Sequence, residues 1–350
     1  MAFIKTEDLI LGEGDYAQRT KLPYEAKVEL AERRIKQFHE ILAEMDRTMY
    51  VSNSEGKDSR VISFMTEKLF PGTPNVFCNT GMEFPEMVKM AKEDGCIIIR
   101  PEKKVNGKNI PISYYDIIQE YGYPIPYKEC ALRIEKINRG NLSERYRNKL
   151  MFGDERGKNY KIPECWKILL KENGCPFKVS SQCCVKMKEQ PFKKFERENK
   201  CSPILGITQD EGMTRKRQYQ HKGCIVTDSK GRIQCRPLGA WNEQDVLRYI
   251  AENNIKLSPL YGEVVQDLTG RYYTTGLSRT GCIFCGFGAY NDEYPSRFQQ
   301  LEKSHPQLYD YCMREPVIDN NGKVIKRGLG MAKVFDYINE NSKEKINYKN

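Results

Sequence analysis

Two cysteine pairs carry the strongest chemical signal in the chain. Cys183 and Cys184 are adjacent, and Cys282 and Cys285 form a C-x-x-C nearly a hundred positions later. Four thiolates make a complete ligand set for a metal site. Adjacent cysteines strain the ligand directions around one tetrahedral Zn²⁺. A cubane offers separate iron corners, so each neighbour can take its own. The spacing therefore favours a [4Fe–4S] cluster over zinc. Read singly, C-x-x-C also fits a zinc half-site or a redox dithiol, and the adjacent pair also fits two buried thiols. Gly281, Gly286 and Gly288 flank the second pair and would let backbone wrap closely around a cluster.

The second signal is SEGKDS at 54–59. It follows an expected strand and opens an expected helix. A helix N-terminus offers unsatisfied N–H groups and partial positive charge, which suit phosphate. Gly56 lets the backbone approach the anion, Lys57 adds a cation, and Ser54 and Ser59 add hydroxyl donors. Asp58 could hold Mg²⁺ beside the phosphates. A Walker A loop is excluded, because Lys57 is followed by Asp58 and not by Ser or Thr. The plain alternative is a capped helix after a polar turn.

These groups need a scaffold. Residues 23–46 have helical periodicity, and a strand runs from about Arg47 to Val51. A helix follows over Arg60 to Leu69, and strands are expected at Asn75–Cys78 and, fully buried, at Cys96–Arg100, with a helix over Glu86 to Lys92 between them. Strands alternating with helices argue for a parallel α/β sheet. Further helices are expected over Ser113–Tyr121 and around Trp166–Lys171, and a strand over Ile204–Thr208. Trp241–Asn253 reads as an amphipathic helix capped by Asn242. The expected organisation is a helical segment 1–46, a nucleotide-binding domain with the cysteines at 47–300, and a helical extension 301–350 ending in a polar, mobile tail.

The chain has 350 residues, 39% hydrophobic and 30% charged, which reads as soluble and globular. Its opening residues lack a signal peptide's pattern, and no apolar run approaches a membrane span. The expectation is a cytoplasmic protein, whose thirteen cysteines are not structural disulfides. A net charge of +10 suits polyanionic partners. The segment 133–150, with Arg133, Lys136, Arg139, Arg145, Arg147 and Lys149, points to nucleic acid, or more plainly to a solvated helix face.

Taken in order, the motifs resemble the phosphoadenosine phosphosulfate (PAPS) reductase family, of the adenine nucleotide α-hydrolase superfamily, from about residue 45 to 300. SEGKDS resembles the first loop, with Glu55 replacing a glycine. NTGMEFPE (79–86) resembles the second, with Asn79 replacing an aspartate. CCVKMKEQPF (183–192) resembles the cysteine-pair segment. GITQDEGMTR (206–215) resembles the arginine loop, with Thr208 and Gln209 at its usual arginines. RPLGAWNEQDVLRYI (236–250) and TGCIFC (280–285) follow in register.

The resemblance implies a twisted, mainly parallel sheet with helices on both faces. It implies that Ser54, Gly56, Lys57 and Ser59 hold phosphate or sulfate, that Cys78, Thr80, Gly81 and Gly206 line adenosine, and that Lys188, Arg215 and Arg297 add positive charge. The implied catalytic set is Lys57, Asp58 and Arg215. The implied cofactors are ATP or PAPS/APS, Mg²⁺, and a [4Fe–4S] cluster on Cys183, Cys184, Cys282 and Cys285. A sulfur donor or a thioredoxin-like reductant is the implied partner. The reductases' Lys-x-Glu-Cys-Gly segment has no counterpart here; Cys312 lies in YDYCMRE. The intact Gly56-Lys57-Asp58-Ser59 is closer to ATP-cleaving relatives that thiolate DNA or tRNA. A metal-stabilised adaptor with a degenerate nucleotide site is the non-enzymatic alternative.

Overall fold

The structure is a computed structural model describing residues 18–154, 160–211, 219, 223–228 and 231–350. In chain order, α1 (Tyr24–Glu44), β1 (Thr48–Ser52), α2 (Lys57–Leu69), β2 (Asn75–Cys78), α3 (Pro85–Glu93) and β3 (Ile97–Ile99) come first. The hairpin β4 (Glu102–Val105) and β5 (Lys108–Pro111) follows, then α4 (Tyr114–Tyr121), α5 (Lys128–Arg139) and α6 (Glu144–Phe152). A helical turn Gln182–Cys184 runs through a π segment, Val185–Glu189, into α7 (Gln190–Glu198). Then come β6 (Cys201–Leu205), β7 (Ile225–Thr227), β8 (Ile233–Cys235), α8 (Glu243–Glu252), β9 (Val264–Gln266) and β10 (Tyr272–Thr274). The chain ends with α9 (Arg297–Ser304), α10 (Pro306–Met313), β11 (Val317–Ile318), β12 (Val324–Lys326) and α11 (Met331–Asn341).

These elements form two compact units that interleave along the chain. Unit one takes its described residues from Met1–Asn79, Glu83–Arg100 and Pro191–Gly281. Unit two takes Thr80–Met82, Pro101–Gln190 and Cys282–Asn350.

Unit one holds a six-stranded sheet of order β3-β2-β1-β6-β8-β7. All pairings are parallel except β7 with β8. Alternation along β1 explains the layering. Met49 and Val51 face a core with Ala31, Ile35, Phe38 and Leu42 of α1, Val61, Ile62 and Met65 of α2, and Val246 and Ile250 of α8. Tyr50 points the other way, onto Phe192 and Phe195 of α7. Its hydroxyl donates to Glu196 Oε1 at 2.8 Å, and Arg232 neutralises that carboxylate from 2.5 Å. Helices thus cover both faces, as expected.

Two expected strands shift. The segment expected as a buried strand at 96–100 forms β3 at the sheet edge, with Ile97 44% exposed, because no strand lies beyond it. The strand expected at 204–208 begins earlier and ends at Leu205, pairing from Thr48↔Cys201 to Ser52↔Leu205. Asn242 caps α8 as expected, in a reciprocal capping box with Asp245.

Unit two is mostly helical. The helix expected near Trp166 forms as tighter 3₁₀ turns, Glu164–Leu169 and Lys171–Asn173. The tail expected to be mobile is docked. Ile346 and Tyr348 are buried, Tyr309 donates to the Tyr348 carbonyl at 2.7 Å, and Tyr348 donates to Asp336 Oδ1 at 2.6 Å. The Tyr348 ring lies 5.3 Å from that of Phe335. Two apolar side chains two positions apart suffice to anchor an otherwise polar tail. No described helix is long and apolar enough to cross a membrane.

Candidate functional site

The loop 54–59 leaves the carboxyl end of β1 and opens α2. Cys78 ends β2 beside it, and Gly206 follows β6 on the other side. The chain runs from β1 outward through β2 to β3, then returns to place β6 on the opposite side of β1. Such a reversal leaves a crevice at the strands' carboxyl ends, where open α/β sheets bind ligands. Gly206 packs hard against the loop: a Cβ there would lie 2.6 Å from the Asp58 carbonyl.

Glu55 resolves its own anomaly. It sits at φ 58°, the left-handed conformation that favours glycine. Its side chain is fully buried. Asn53 Nδ2 donates to Glu55 Oε1 at 2.7 Å, Arg60 lies 3.2 Å from Oε2, and the Cys96 thiol contacts Oε1 at 3.5 Å. Arg60 also pairs with Asp94. Burial pushes the Glu55 carboxyl above the usual glutamate range, with Arg60 opposing. The carboxyl is therefore engaged within the loop and by Arg60 and Cys96.

Gly56 is the N-cap of α2 and brings no side chain to cap it. The Ser54 amide donates to Ser59 Oγ at 3.2 Å, and Ser59 Oγ donates to the Gly56 carbonyl at 2.9 Å. Lys57 is buried, with Nζ 2.5 Å from Glu243 Oε1 and 5.8 Å from the centre of the Tyr261 ring. Asp58 lies in the first turn of α2. Sequence reading missed Asn53, Glu243 and Tyr261. Tyr261 is buried, shares a 2.6 Å hydrogen bond with Thr280 Oγ1, and faces the Lys57 amide. Glu243 had a faint signal, as an acid in the first turn of a capped helix. Arg215 lies outside the described residues.

Unit two brings the four candidate ligand cysteines together. Cys183 Sγ and Cys184 Sγ are 4.0 Å apart, and the charges of Cys282 and Cys285 both act on Cys183. Burial and then Cys282 push the Cys285 thiol up to about 12. Cys184 moves the other way: the Cys183 hydrogen bond lowers it, helped by Lys128 and Lys188. Lys188 is thus a neighbour of the cysteines. Among the described residues, no three His, Cys, Asp or Glu side chains converge on a single metal ion.

Local structure explains this grouping. The π segment begins directly after the cysteine pair, with the Gln190 amide donating to the Val185 carbonyl. Pro191 has no N–H to continue the ordinary helical ladder. The Cys285 amide closes a turn onto the Cys282 carbonyl at 3.1 Å, and the Ile283 amide donates to the Met82 carbonyl at 2.8 Å. That bond sets Thr80 and Gly81 beside the second cysteine pair. Thr80 is buried and accepts from the Met82 amide, and Gly81 takes φ 75°. Of the flanking glycines, Gly286 is a true close approach, since a Cβ would meet the Pro124 carbonyl at 2.9 Å; Gly281 faces open space. Arg297 is engaged by Asp292 at 2.6 Å and donates to the carbonyls of Cys285 and Phe287.

The phosphoadenosine phosphosulfate reductase domain matches residues 142–286, which include all four cysteines, Lys188, Gly206 and Arg215. Residues 142–286 are thus similar to the phosphoadenosine phosphosulfate reductase domain. The loop at 54–59 precedes the matched range of this family's domain. An uncharacterized protein of Methanocaldococcus jannaschii is 22% identical over 298 residues, 85% of this chain and 54% of the relative. The chain thus spans about half the length of that curated relative. Among solved structures, a PAPS reductase from Candida auris in a phosphate complex matches at 16% identity. It covers 75% of this chain and 98% of its own, with TM-score 0.38. The U34-tRNA thiolase NcsA from Methanococcus maripaludis, described with its [4Fe-4S] cluster, matches at 16% identity over 67% of this chain and 66% of its own, with TM-score 0.32.

Proposed function

We propose that the chain binds an adenine nucleotide, ATP or a sulfonucleotide, at the 54–59 loop and acts at its α-phosphate in a sulfur-transfer reaction. One observation carries the reading. A buried lysine, Lys57, opens α2 at the carboxyl end of the central strand, while the neighbouring Glu55 carboxyl is buried and engaged by Arg60. The loop amides and the Lys57 ammonium would bind phosphate oxygens, and Ser54 and Ser59 would add hydroxyl donors. Asp58 would hold Mg²⁺ against the same oxygens. Charge growing on the phosphate during attack at phosphorus meets groups already in place, which lowers the barrier. Cys78 and Gly206, on the strands flanking β1, would border the nucleoside.

Cys183, Cys184, Cys282 and Cys285 would hold a [4Fe–4S] cluster. The adjacent Cys183–Cys184 pair and the Cys282/Cys285 pair supply four thiols that act on one another's charge. That donor set suits a polynuclear group with separate corners better than a single zinc. When bound, such a group supplies iron for holding sulfide. Lys128 and Lys188 would offset the negative charge of the thiolate set.

The test is anaerobic incubation of cluster-replete protein with ATP and Mg²⁺, and separately with APS or PAPS together with a dithiol reductant that supplies the two electrons and is oxidised to its disulfide. Pyrophosphate release from ATP, or sulfite from the sulfonucleotides, is expected, and Lys57→Ala should abolish it. Absence of turnover and of nucleotide binding in every arm overturns the reading. A second reading directs the same chemistry at a nucleic-acid acceptor. It is favoured by the exposed cations on the β4–β5 and β11–β12 hairpins.

A further inference from the structure

The cations of 133–150, which by sequence suggested a nucleic-acid contact, are largely engaged within unit two. Arg147 lies 2.5 Å from Glu172, and Lys149 lies 2.5 Å from Asp154. Arg139 pairs with Glu135. Arg133 stacks 4.8 Å from the Tyr160 ring, and Lys136 bonds the Tyr146 hydroxyl at 3.1 Å. Three of the six cations, Arg139, Arg147 and Lys149, are thus charge-paired.

The two hairpins of the same unit differ. Lys103, Lys104 and Lys108 on β4–β5, and Lys323, Lys326 and Arg327 on or beside β12, are all exposed. None of the six enters an ion pair among the described residues. Both hairpins adjoin the start of α4: β5 leads through Ile112 and Ser113 into that helix, and the Arg327 guanidinium sits 5.3 Å from the Tyr115 ring on it.

Register shows how each ribbon presents its cations. Lys103 opposes Ile110 and Val105 opposes Lys108. Cross-strand partners share a face, as do residues two apart. One face of β4–β5 therefore interleaves Lys103 and Lys108 with the exposed aliphatics Val105 and Ile110. On the second ribbon, Lys326 opposes Val317 and both are exposed.

We propose that these paired hairpins form a nucleic-acid-binding surface, the lysines contacting backbone phosphates and the aliphatics packing against sugars and base edges. The inference rests on the second reading for its purpose, but its test reads binding alone. A two-stranded ribbon is narrow enough to enter a major groove, and mixed cationic and aliphatic faces suit that environment. The ribbon tips argue against a bilayer. They carry Asn106-Gly107 and Asn321-Gly322, which give no apolar anchor at the leading edge.

The experiment is fluorescence anisotropy with a labelled DNA duplex and a labelled RNA hairpin over a salt series, using the full chain without nucleotide. The variant neutralises all six cations to Gln. The control carries Arg139→Gln and Arg147→Gln. Wild type should bind at least one of the two probes, with affinity falling as salt rises. The six-fold variant should lose about tenfold or more in affinity and show a shallower salt slope, since each lost phosphate contact removes close to one unit of slope. The control should stay within about twofold of wild type, because its arginines are already paired. A circular-dichroism melt establishes that the six-fold variant is folded. No binding at low salt, equal binding by the six-fold variant, or an equal loss in the control overturns the proposal. So does binding to anionic phosphatidylserine vesicles without binding to either probe. Because no turnover is read, a protein that binds here but leaves ATP intact fails the proposed function and keeps this one.

Discussion

Lys57 Nζ lies 2.5 Å from Glu243 Oε1, so the lysine that opens α2 is held by the first residue of another helix, α8. The lysine side chain is almost wholly buried and the glutamate side chain is about half exposed. The Glu243 carboxylate therefore already occupies this ammonium, and any anion drawn to Lys57 competes with it.

Glu243→Gln removes that competitor. Nucleotide affinity should rise by up to roughly fivefold, the scale of a partly exposed ion pair. Lys57→Ala should lose binding outright. Calorimetric titration with ATP reads both. Unchanged affinity in both variants would place the nucleotide elsewhere.

The two glycines at the loop should differ in tolerance. A Cβ at Gly206 meets backbone atoms of Asp58 and Ser59 at 2.6 to 2.8 Å, while one at Gly56 meets side-chain hydroxyls, the nearest that of Ser54 at 3.2 Å. A hydroxyl can rotate and backbone cannot. Gly206→Ala should lower both the melting temperature and nucleotide affinity, with Gly56→Ala the milder change in stability. A reversed order of melting temperatures would contradict the packing described.

Glu55 gives a signed pH effect. Its folded-state pKa is raised, chiefly by burial. Below the unfolded glutamate value both states are protonated and the neutral side chain costs nothing extra. As pH rises through the folded value, the native carboxyl must ionise in a buried site, and stability falls. Glu55→Gln lacks this loss. The melting temperature of the variant relative to wild type should climb as pH rises from the ordinary carboxylate range upward. A flat difference across that range would show that Arg60 and Asn53 fully compensate the charge.

The cysteine set predicts metal content. Anaerobically reconstituted Cys183→Ser, Cys184→Ser, Cys282→Ser and Cys285→Ser should each lose most of their iron and sulfide, whereas Cys165→Ser should retain both. Elemental analysis with the visible spectrum reads this. A colourless wild type containing one zinc would remove the cluster.

The docked tail is a stability element of unit two. Tyr348 is buried, hydrogen-bonded to Asp336 and packed on Phe335. Tyr348→Ala should cost about 3 kcal/mol, the usual scale for truncating a buried aromatic. Chemical denaturation measures it. A loss within about 0.5 kcal/mol would mean the tail contributes little.

The sequence by itself determined the strand–loop–helix turn at 54–59, the cysteine pairs and the α/β alternation. Each rests on local patterns: residue type at short spacing, period-two strands and capping residues such as Asn242. Tertiary structure decided what depends on partners distant in the chain. It buried Glu55 against Arg60 and joined Lys57 to Glu243. It also set β3 at an edge and buried Tyr348. No local pattern specifies these, because each contact is selected by which segments the fold brings together. The same holds for charge. Sequence counted the cations of 133–150, but only the folded unit shows Arg139 and Arg147 already neutralised while Lys103 and Lys326 stand in solvent.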